Sequence, residues 1–481
     1  MAGTRRFILF ELNEVPLRVV RHYADRHPGS AFARILERGR HWTTVTPDQG
    51  HLSPWITWPT LHRGVSSADH KIAALGQDVA AVDQRFPPVW SILAAAGRRV
   101  GMFGSLHSYP PPADLDAYDF YVPDTFAAGP EAKPAELAAF QQFNLHMVDR
   151  SGRNVSGELP VKRAVSFLLR SLTGIRPATM GKIARQVATE RIWRHRTARR
   201  RTIQSLLAFD LFLAQLQAKK PDAAFFFTNH VASSMHRYWP ATFTGDYSAT
   251  KWSDEWVRRF AGELDYVMGE ADQMLSELLA FAEREPDTIV LVASSMGQAA
   301  VDEATRQVST EVLLRDMSKF LRAIGVKGDW QRRRTMEPTY TLAFDDEGAA
   351  DACMAGLSRV KIAGRPIEHR RLDAQGVEMV LGHSNLRDEQ VTVTIGNRPV
   401  SLEDAGIANV PIEDEVGAAA YHIPEGMLLA YDPRSEWGRT EVQPISTTRI
   451  APTLLEMQGV RPPAYMEQPI REFGRAELEV A

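Results

Sequence analysis

The sequence predicts an α/β fold with a mainly parallel sheet, because compact apolar runs alternate with helical segments along the chain. Such runs, without polar alternation, are typical of strands that are buried on both faces. Helices are expected from Arg18 to Gly39 and from Pro88 to Ala96. The predicted strands are Phe7 to Leu12, Arg99 to Phe103, Ala223 to Thr228 and Thr288 to Ala293.

Two segments interrupt this alternation and are predicted to be insertions. The first, residues 155–217, lacks strand signals and is rich in arginine, most densely from Arg191 to Arg201. The second, residues 301–395, contains a strand (TYTLAF), a helix from Gly348 to Leu357 and two further strands, which indicates a small α+β cap. The core is then expected to comprise residues 1–300 and 396–481, with the arginine-rich insertion inside it.

Composition excludes several classes of protein. The apolar fraction of 44% and charged fraction of 24% are typical of a globular chain. The net charge is -3 and the pI is about 6.6, so no overall positive field attracts nucleic acid, and no nucleic-acid partner is expected. Cys353 is the only cysteine, which excludes an internal disulfide and is typical of a reducing compartment.

The N-terminal sequence superficially resembles a secretory leader, but its apolar run, Phe7 to Phe10, reaches Glu11 after only four residues. This is too short for the apolar region of a signal peptide. No stretch approaches eighteen consecutive apolar residues, the length that a membrane-spanning helix requires. We therefore expect a cytoplasmic protein. Its basic segment leaves open a second location, at the periphery of the inner membrane surface.

That basic segment, residues 185–201, has two interpretations. It is either a face that contacts anionic lipid or substrate phosphates, or a solvated helix whose arginines form pairs along its surface. Apolar residues upstream, including Phe167 and Leu168, favour a membrane contact.

Polar residues follow three of the predicted strands, at the sheet edge where ligands of parallel α/β proteins bind. These clusters are Glu11 to Glu14, Asn229 to His236 and Ser294 to Gln298. Burying so many hydrogen-bonding groups is costly unless they are paired, which indicates that this edge binds a ligand.

The segment SPWITWPTLHRGVSSADHKIAALG, which begins at Ser53, adds a more specific signal. Its helix opens at Ser53–Pro54, closes near Gly64 and is followed by Asp69–His70, and it resembles the nucleophile segment of the alkaline phosphatase superfamily. The resemblance is closest to the branch of type I phosphodiesterases and nucleotide pyrophosphatases. HIPEGMLLA from His422 and the segment from Ile450 to Gly459 resemble the C-terminal strand and closing helix of that branch.

The resemblance implies an alkaline-phosphatase-like core that holds two divalent ions, with aspartate and histidine ligands and a serine or threonine nucleophile. His236 and His422 match ligand positions. The nucleophile falls at Ser53 or Pro54, and the first-strand aspartate falls at Asn13 or Glu11. The aspartate that accompanies His236 in the family falls at Ala232, and the family's Asp–His pair falls at Ser295–Met296. The implied site is therefore degenerate: at most one zinc or manganese ion is expected, and a normal two-metal site is not.

Several side chains are candidates for other roles at this site. Glu11 and Glu14 either act as acid or base or cap the following helix, and the tryptophans either stack on a sugar or pack in the core. The catalytic candidates are Glu11, Asn13, Glu14, Ser53 and His70. The substrate-binding candidates are His51, Trp55, Asn229, His230, Ser295 and Gln298.

The sequence thus predicts a protein that acts on a phosphate-containing substrate, either a phosphodiester or a diphosphate such as a nucleotide-activated or lipid-linked glycan. Two alternatives stay open. One is a metal-independent group transferase, such as a glycosyltransferase, that uses Glu11 or Glu14 as its base. The other is a catalytically inactive binding protein.

Overall fold

A computed structural model describes residues 5–150, 174–247, 252–301, 310–335, 338–411, 419–435, 437 and 440–471, with the backbone alone at 147–150 and 440–443. Its strands are β1 (Arg6–Leu12), β2 (Arg40–Val45), β3 (Val100–Phe103), β4 (Tyr118–Val122), β5 (Ala223–Thr228), β6 (Thr288–Ser294), β7 (Gly297–Ala300), β8 (Thr310–Leu314), β9 (Trp330–Arg333), β10 (Thr339–Phe344), β11 (Val360–Ile362), β12 (Arg365–Pro366), β13 (Glu368–Arg371), β14 (Gly376–Val380), β15 (Val393–Ile395), β16 (Arg398–Val400), β17 (Ile407–Pro411), β18 (Ala420–Ile423), β19 (Glu425–Tyr431) and β20 (Thr440–Ser446).

The α-helices of the described residues are α1 (Leu17–Arg26), α2 (Ala31–Arg38), α3 (Pro54–Arg63), α4 (Ser67–His70), α5 (Ala80–Arg85), α6 (Val89–Ala95), α7 (Ala138–Arg150), α8 (Pro177–Ile192), α9 (Arg200–Lys219), α10 (His230–Thr242), α11 (Asp254–Phe260), α12 (Glu263–Arg284), α13 (Met317–Ile324), α14 (Glu347–Leu357) and α15 (Ile450–Met457). Short 3₁₀ helices occupy Leu115–Ala117, Ala135–Leu137, Arg194–Arg199, Thr244–Asp246, Asp388–Gln390 and Thr447–Arg449.

Eight strands form the central sheet in the order β20-β2-β19-β6-β1-β5-β3-β4. β1 pairs in parallel with both β5 and β6, and β19 runs antiparallel to its two neighbours. The predicted α/β class with a mainly parallel sheet is confirmed.

Helices cover both faces of this sheet. The central strand β1 shows why the sequence of such a strand does not alternate between apolar and polar residues. Ile8 and Phe10 belong to one buried hydrophobic cluster, whereas Phe7 and Leu9 belong to a second one. Because both faces of the strand are buried, the four consecutive positions from Phe7 to Phe10 are all apolar.

The helix expected from Arg18 to Gly39 is two helices, α1 and α2. The break falls at His27–Pro28–Gly29, where proline fixes its own backbone and restricts the residue before it. Ser30 then caps α2 by accepting a hydrogen bond from the Ala33 backbone N–H at 3.0 Å.

The described part of the arginine-rich segment is helical, with α8 and α9 joined by a 3₁₀ turn. Residues 155–173 of the predicted insertion lie outside the described residues. Arg199 and Arg200 form ion pairs with the buried Glu263 and Glu190, so part of this segment's charge is neutralised within the fold.

The second insertion forms a small α+β unit with its own hydrophobic core and two four-stranded sheets, in the orders β13-β14-β10-β9 and β12-β11-β15-β16. It extends beyond the expected boundary at residue 395, because that point is the turn between the paired strands β15 and β16. Ile407 still belongs to its core, and β17 pairs with β8. In the part of the chain that the structure describes, no helix is long and apolar enough to cross a membrane.

Candidate metal centre

Three potential metal ligands from distant parts of the chain meet beyond the carboxyl end of β1. Glu14 follows β1, His236 lies on α10 and His422 lies on β18. Nε2 of His236 and Nε2 of His422 lie 3.0 and 3.3 Å from Oε2 of Glu14. The ligand atoms are all within 4.8 Å of one another, and no other group of this kind occurs among the described residues.

Glu14 holds an unusual backbone conformation, with φ at 58°. For a residue that has a Cβ atom, this left-handed region costs about 1–2 kcal/mol. Such strain persists where the surrounding structure enforces it, and it is concentrated at functional sites.

The orientation of each imidazole ring is fixed by a hydrogen bond from Nδ1, the ring nitrogen that does not face Glu14. Nδ1 of His236 lies 2.7 Å from the Ala420 carbonyl oxygen, and Nδ1 of His422 lies 2.8 Å from that of Leu52. Because a carbonyl oxygen only accepts hydrogen bonds, each Nδ1 must carry the hydrogen. A neutral ring then turns the lone pair of Nε2 toward Glu14. Metal-binding histidines are held in this manner.

Two lone pairs facing a carboxylate oxygen repel it, so these contacts require either a proton on each Nε2 or a cation among the three atoms. Zinc binds nitrogen and oxygen at about 2.0–2.2 Å, and tetrahedral geometry then separates neighbouring ligand atoms by about 3.3–3.4 Å. The observed separation of 3.3 Å matches this spacing, the separation of 3.0 Å is slightly shorter, and the two histidine nitrogens lie within 4.8 Å of each other. Three protein ligands with a fourth position left open is the arrangement of catalytic zinc sites.

Two amide side chains hold the Glu14 carboxylate. Asn13 donates to Oε1 of Glu14 at 2.9 Å, and its own oxygen accepts from the Trp58 indole N–H at 2.7 Å. The indole fixes the orientation of the amide of Asn13, a predicted catalytic residue, and this amide in turn holds Glu14. Gln298 donates to Oε2 of Glu14 and to the Ala232 carbonyl oxygen. Its own Oε1 is buried without a hydrogen-bond partner.

The three ligands perturb one another electrostatically. Burial by itself raises the pKa of Glu14, but His422 and His236 outweigh burial and hold that pKa well below its usual range. Burial by itself lowers the pKa of His422, but the Glu14 carboxylate outweighs burial and raises it. The site therefore favours a negative carboxylate and a positive charge beside it, which is the condition that a bound cation satisfies.

Ser53 directly follows a residue that contacts this centre. His422 donates a hydrogen bond to the backbone carbonyl oxygen of Leu52, the residue before Ser53. Ser53 is the N-cap of α3, yet its side chain makes no capping hydrogen bond. Its hydroxyl is buried and has no partner, a state that costs about 1–3 kcal/mol without a ligand. Pro54 is the first residue of the helix and has no nucleophilic group, so of the two predicted nucleophile positions Ser53 is the chemically competent one.

The carboxylate of Glu11, a predicted acid or base, is held within the fold by two side chains. It is fully buried, and both of its oxygens are engaged, one by His62 Nε2 at 2.7 Å and the other by the Ser105 hydroxyl at 2.6 Å. The His62 ring packs against Trp58 and Trp90, with ring centroids 5.3 and 4.7 Å away.

His70 and His230 are likewise held within the fold. His70 contacts the Thr60 hydroxyl at 3.0 Å and accepts from the Ile72 backbone N–H at 2.9 Å. His230 contacts the Thr228 hydroxyl at 2.7 Å. Burial lowers the pKa of each to about 4, so both rings are neutral near pH 7. Neither makes a contact with the three ligands.

The remaining candidates differ in their burial and in their contacts. Asn229 is exposed, and its side-chain oxygen accepts from Asn13 at 2.7 Å. Ser295 is buried and bonds to the Thr57 hydroxyl at 2.8 Å. Trp55 is half-buried against Phe126. His51 is exposed. Trp58 and Trp239 are buried in the core, which excludes them from a sugar-stacking platform.

Sequence reasoning placed Glu14 among acid–base candidates and did not identify it as a metal ligand. The resemblance assigned the carboxylate ligand beside His236 to position 232, which is alanine. In the structure the Ala232 carbonyl oxygen shares Gln298 with Glu14, so a carboxylate from β1 stands beside the position where the resemblance expects one. The available signal was the place of Glu14, two residues beyond a strand that ends at the ligand-binding edge of the sheet.

Of the known proteins compared with this chain, only solved structures match it. No protein-family model matches the chain, and no curated protein does. Solved structures that match include human and murine ectonucleotide pyrophosphatase/phosphodiesterase 5, each 10% identical, with TM-scores of 0.42 and 0.43, covering 96% of this chain and 97% and 98% of theirs. An inactive variant of the murine protein in complex with AMP is 11% identical, with a TM-score of 0.40, over 96% of this chain and 97% of its own. At this level of similarity the activity of this chain rests on its own side chains.

Proposed function

We propose that this protein is a metal-dependent hydrolase of phosphodiester or diphosphate substrates. In this proposal Glu14, His236 and His422 hold one divalent cation, zinc or manganese. The observation that carries it is the convergence of three potential ligand atoms within 4.8 Å of one another, with each histidine anchored through Nδ1 to a backbone carbonyl. A bound cation would act as a Lewis acid toward a phosphoryl oxygen.

Ser53 is the proposed nucleophile. Its unpartnered hydroxyl lies at the start of the ten-residue helix α3, where the helix dipole favours an anionic phosphate. The Ser53 hydroxyl loses its proton as its oxygen bonds to phosphorus, the bond from phosphorus to the leaving oxygen breaks, and the leaving oxygen takes up a proton. Water then cleaves the serine phosphate. Asn229, whose oxygen is engaged by Asn13, retains amide N–H groups for a substrate oxygen.

The metal-independent transferase is less well supported. It requires Glu11 or Glu14 as a base in contact with substrate. Glu11 is fully buried with both oxygens bonded to His62 and Ser105. Glu14 faces two histidines whose Nδ1 hydrogens point away from it, an arrangement that suits a ligand better than a base.

The test is metal content together with turnover. Protein purified without chelators is analysed by elemental mass spectrometry, then assayed with bis-p-nitrophenyl phosphate before and after chelation and re-addition of zinc or manganese. We expect about one equivalent of metal and metal-dependent turnover. Glu14→Gln and His236→Gln should each weaken metal binding by at least 100-fold, since changes outside the ligand shell alone cost about 10- to 100-fold.

A matched control is His369→Gln, because His369 lies on β13 in the small α+β unit, away from the centre. It should leave metal content and turnover unchanged. Metal bound without turnover of phosphodiesters or diphosphates would retain the metal centre and reject the hydrolase. Metal-free protein whose turnover is indifferent to chelators would reject both.

A further inference from the structure

A patch of exposed apolar and basic side chains occurs at the end of α8, outside the candidate metal centre. Ile192 is 71% exposed, Trp193 45% and Val187 36%, and together they are three of the four large hydrophobic residues that are exposed in the described structure. Arg185, Arg191 and Arg194 are exposed around them. We call these six residues the Arg–Trp patch.

The three arginines of this patch differ from their neighbours. Arg199 and Arg200 pair with buried glutamates, and Arg196 lies over the Trp193 ring at 4.4 Å. Arg185, Arg191 and Arg194 pair with no acidic side chain among the described residues. Their side chains are exposed, beside apolar surface that the described residues leave uncovered.

We propose that the Arg–Trp patch docks the protein on a membrane surface rich in anionic headgroups. Tryptophan and isoleucine enter the boundary between headgroups and acyl chains, while arginines remain at the level of the phosphates. Arg196 lies over the Trp193 ring, so a side chain that would contact phosphates packs against one that would enter the apolar boundary. A nucleic acid or an acidic protein would use the arginines, but neither accounts for an isoleucine with most of its surface in water.

The strength of docking can be estimated from these residues. Each arginine near an anionic surface contributes roughly fivefold to binding, so two of them contribute roughly 30-fold. Insertion of Ile192 or Trp193 contributes on the order of tenfold each. Because the arginine contribution is electrostatic, it falls as salt is raised.

The experiment is co-sedimentation of the full chain with vesicles of phosphatidylcholine alone or with 30% phosphatidylglycerol (a composition chosen for the assay). We expect binding to the anionic vesicles alone, weakened about 30-fold by Arg191→Gln/Arg194→Gln and about tenfold by Trp193→Ser. The matched control is Arg365→Gln/Arg398→Gln, which removes two exposed arginines from the edge strands β12 and β16 and should change nothing.

Two results would overturn the proposal. One is the absence of binding to anionic vesicles at low salt. The other is binding that the control pair weakens as much as the patch variants do, which would show a general charge effect. Binding of a polyanion such as heparin that Trp193→Ser leaves unchanged, without vesicle binding, would assign the arginines to a different class of partner. All the substituted side chains are exposed, so each variant should fold, and circular dichroism checks this.

Discussion

The pair formed by Glu11 and His62 provides the sharpest test of which buried groups are structural. His62→Phe removes the contact at 2.7 Å and leaves one Glu11 oxygen buried without a partner. The phenyl ring preserves the packing against Trp58 and Trp90. Because Nδ1 of His62 has no hydrogen-bond partner, the substitution removes no other polar contact.

The expected loss follows from the burial of both groups. Breaking a buried pair by removing one partner costs about 3–5 kcal/mol, because it leaves an uncompensated carboxylate. For 481 residues the entropy of unfolding is about 1 kcal/mol per kelvin, from about 2.1 cal/mol/K per residue. The melting temperature should therefore fall by about 3–5 °C.

The assay is differential scanning calorimetry of wild type, His62→Phe, Glu11→Gln and the double variant. Glu11→Gln in the His62→Phe background removes the stranded charge and keeps an acceptor for Ser105, so it should recover about 2 kcal/mol. The folded single variants should keep their turnover, whereas a catalytic acid or base would lose about 100-fold or more. A double variant no more stable than His62→Phe would refute this reasoning.

Four further predictions concern the metal centre. Apparent metal affinity should rise about tenfold per pH unit below the raised pKa of His422, because binding displaces its proton, and calorimetry in buffers of different ionisation enthalpy should count that proton. In metal-free protein the same raised pKa contributes stability below pH 6.5 that is lost as pH rises through it, whereas the depressed pKa of Glu14 contributes stability above pH 4.5 that is lost on acidification. Melting temperatures measured from about pH 2 to pH 9 should show both losses, the Glu14 loss below pH 4.5 and the His422 loss above pH 6.5, and Glu14→Gln should abolish them. Asn13→Ala should weaken metal binding about 10- to 100-fold by releasing Glu14, and equilibrium dialysis would contradict this if affinity stayed unchanged. Ser53→Ala should retain metal and lose turnover, and full activity of that variant would exclude it as nucleophile.

The predictable part of the fold is the part with a strong local signal. β1, β5 and β6 are long apolar runs, and their sequence alone places them at the centre of a sheet. β2 reads RHWTTV and lies near the edge, where half-buried polar residues dilute the pattern. Its place beside β19 depends on pairing with residues almost 400 positions away, which no local window reveals.

The same limit applies to the site. The resemblance drew attention to His236 and His422, and the structure brings both rings to one carboxylate. That this carboxylate is Glu14 depends on a left-handed turn after β1 and on two amides that hold it. Glu11 and Glu14, three residues apart, are indistinguishable by composition. Their separate roles arise because one side chain meets His62 and the other meets the two ligand histidines.

The three ligands also join parts of the chain that are otherwise far apart in sequence. A cation there would connect the first strand of the sheet to α10 and to β18, which belongs to a small two-stranded sheet outside the central one. A cation that binds only the folded chain would close these long loops and stabilise the folded state. The supply of metal would then help to determine how much of the protein remains folded in a cell. Under metal limitation, proteolytic turnover of the chain should therefore increase, and steady-state abundance should report metal availability.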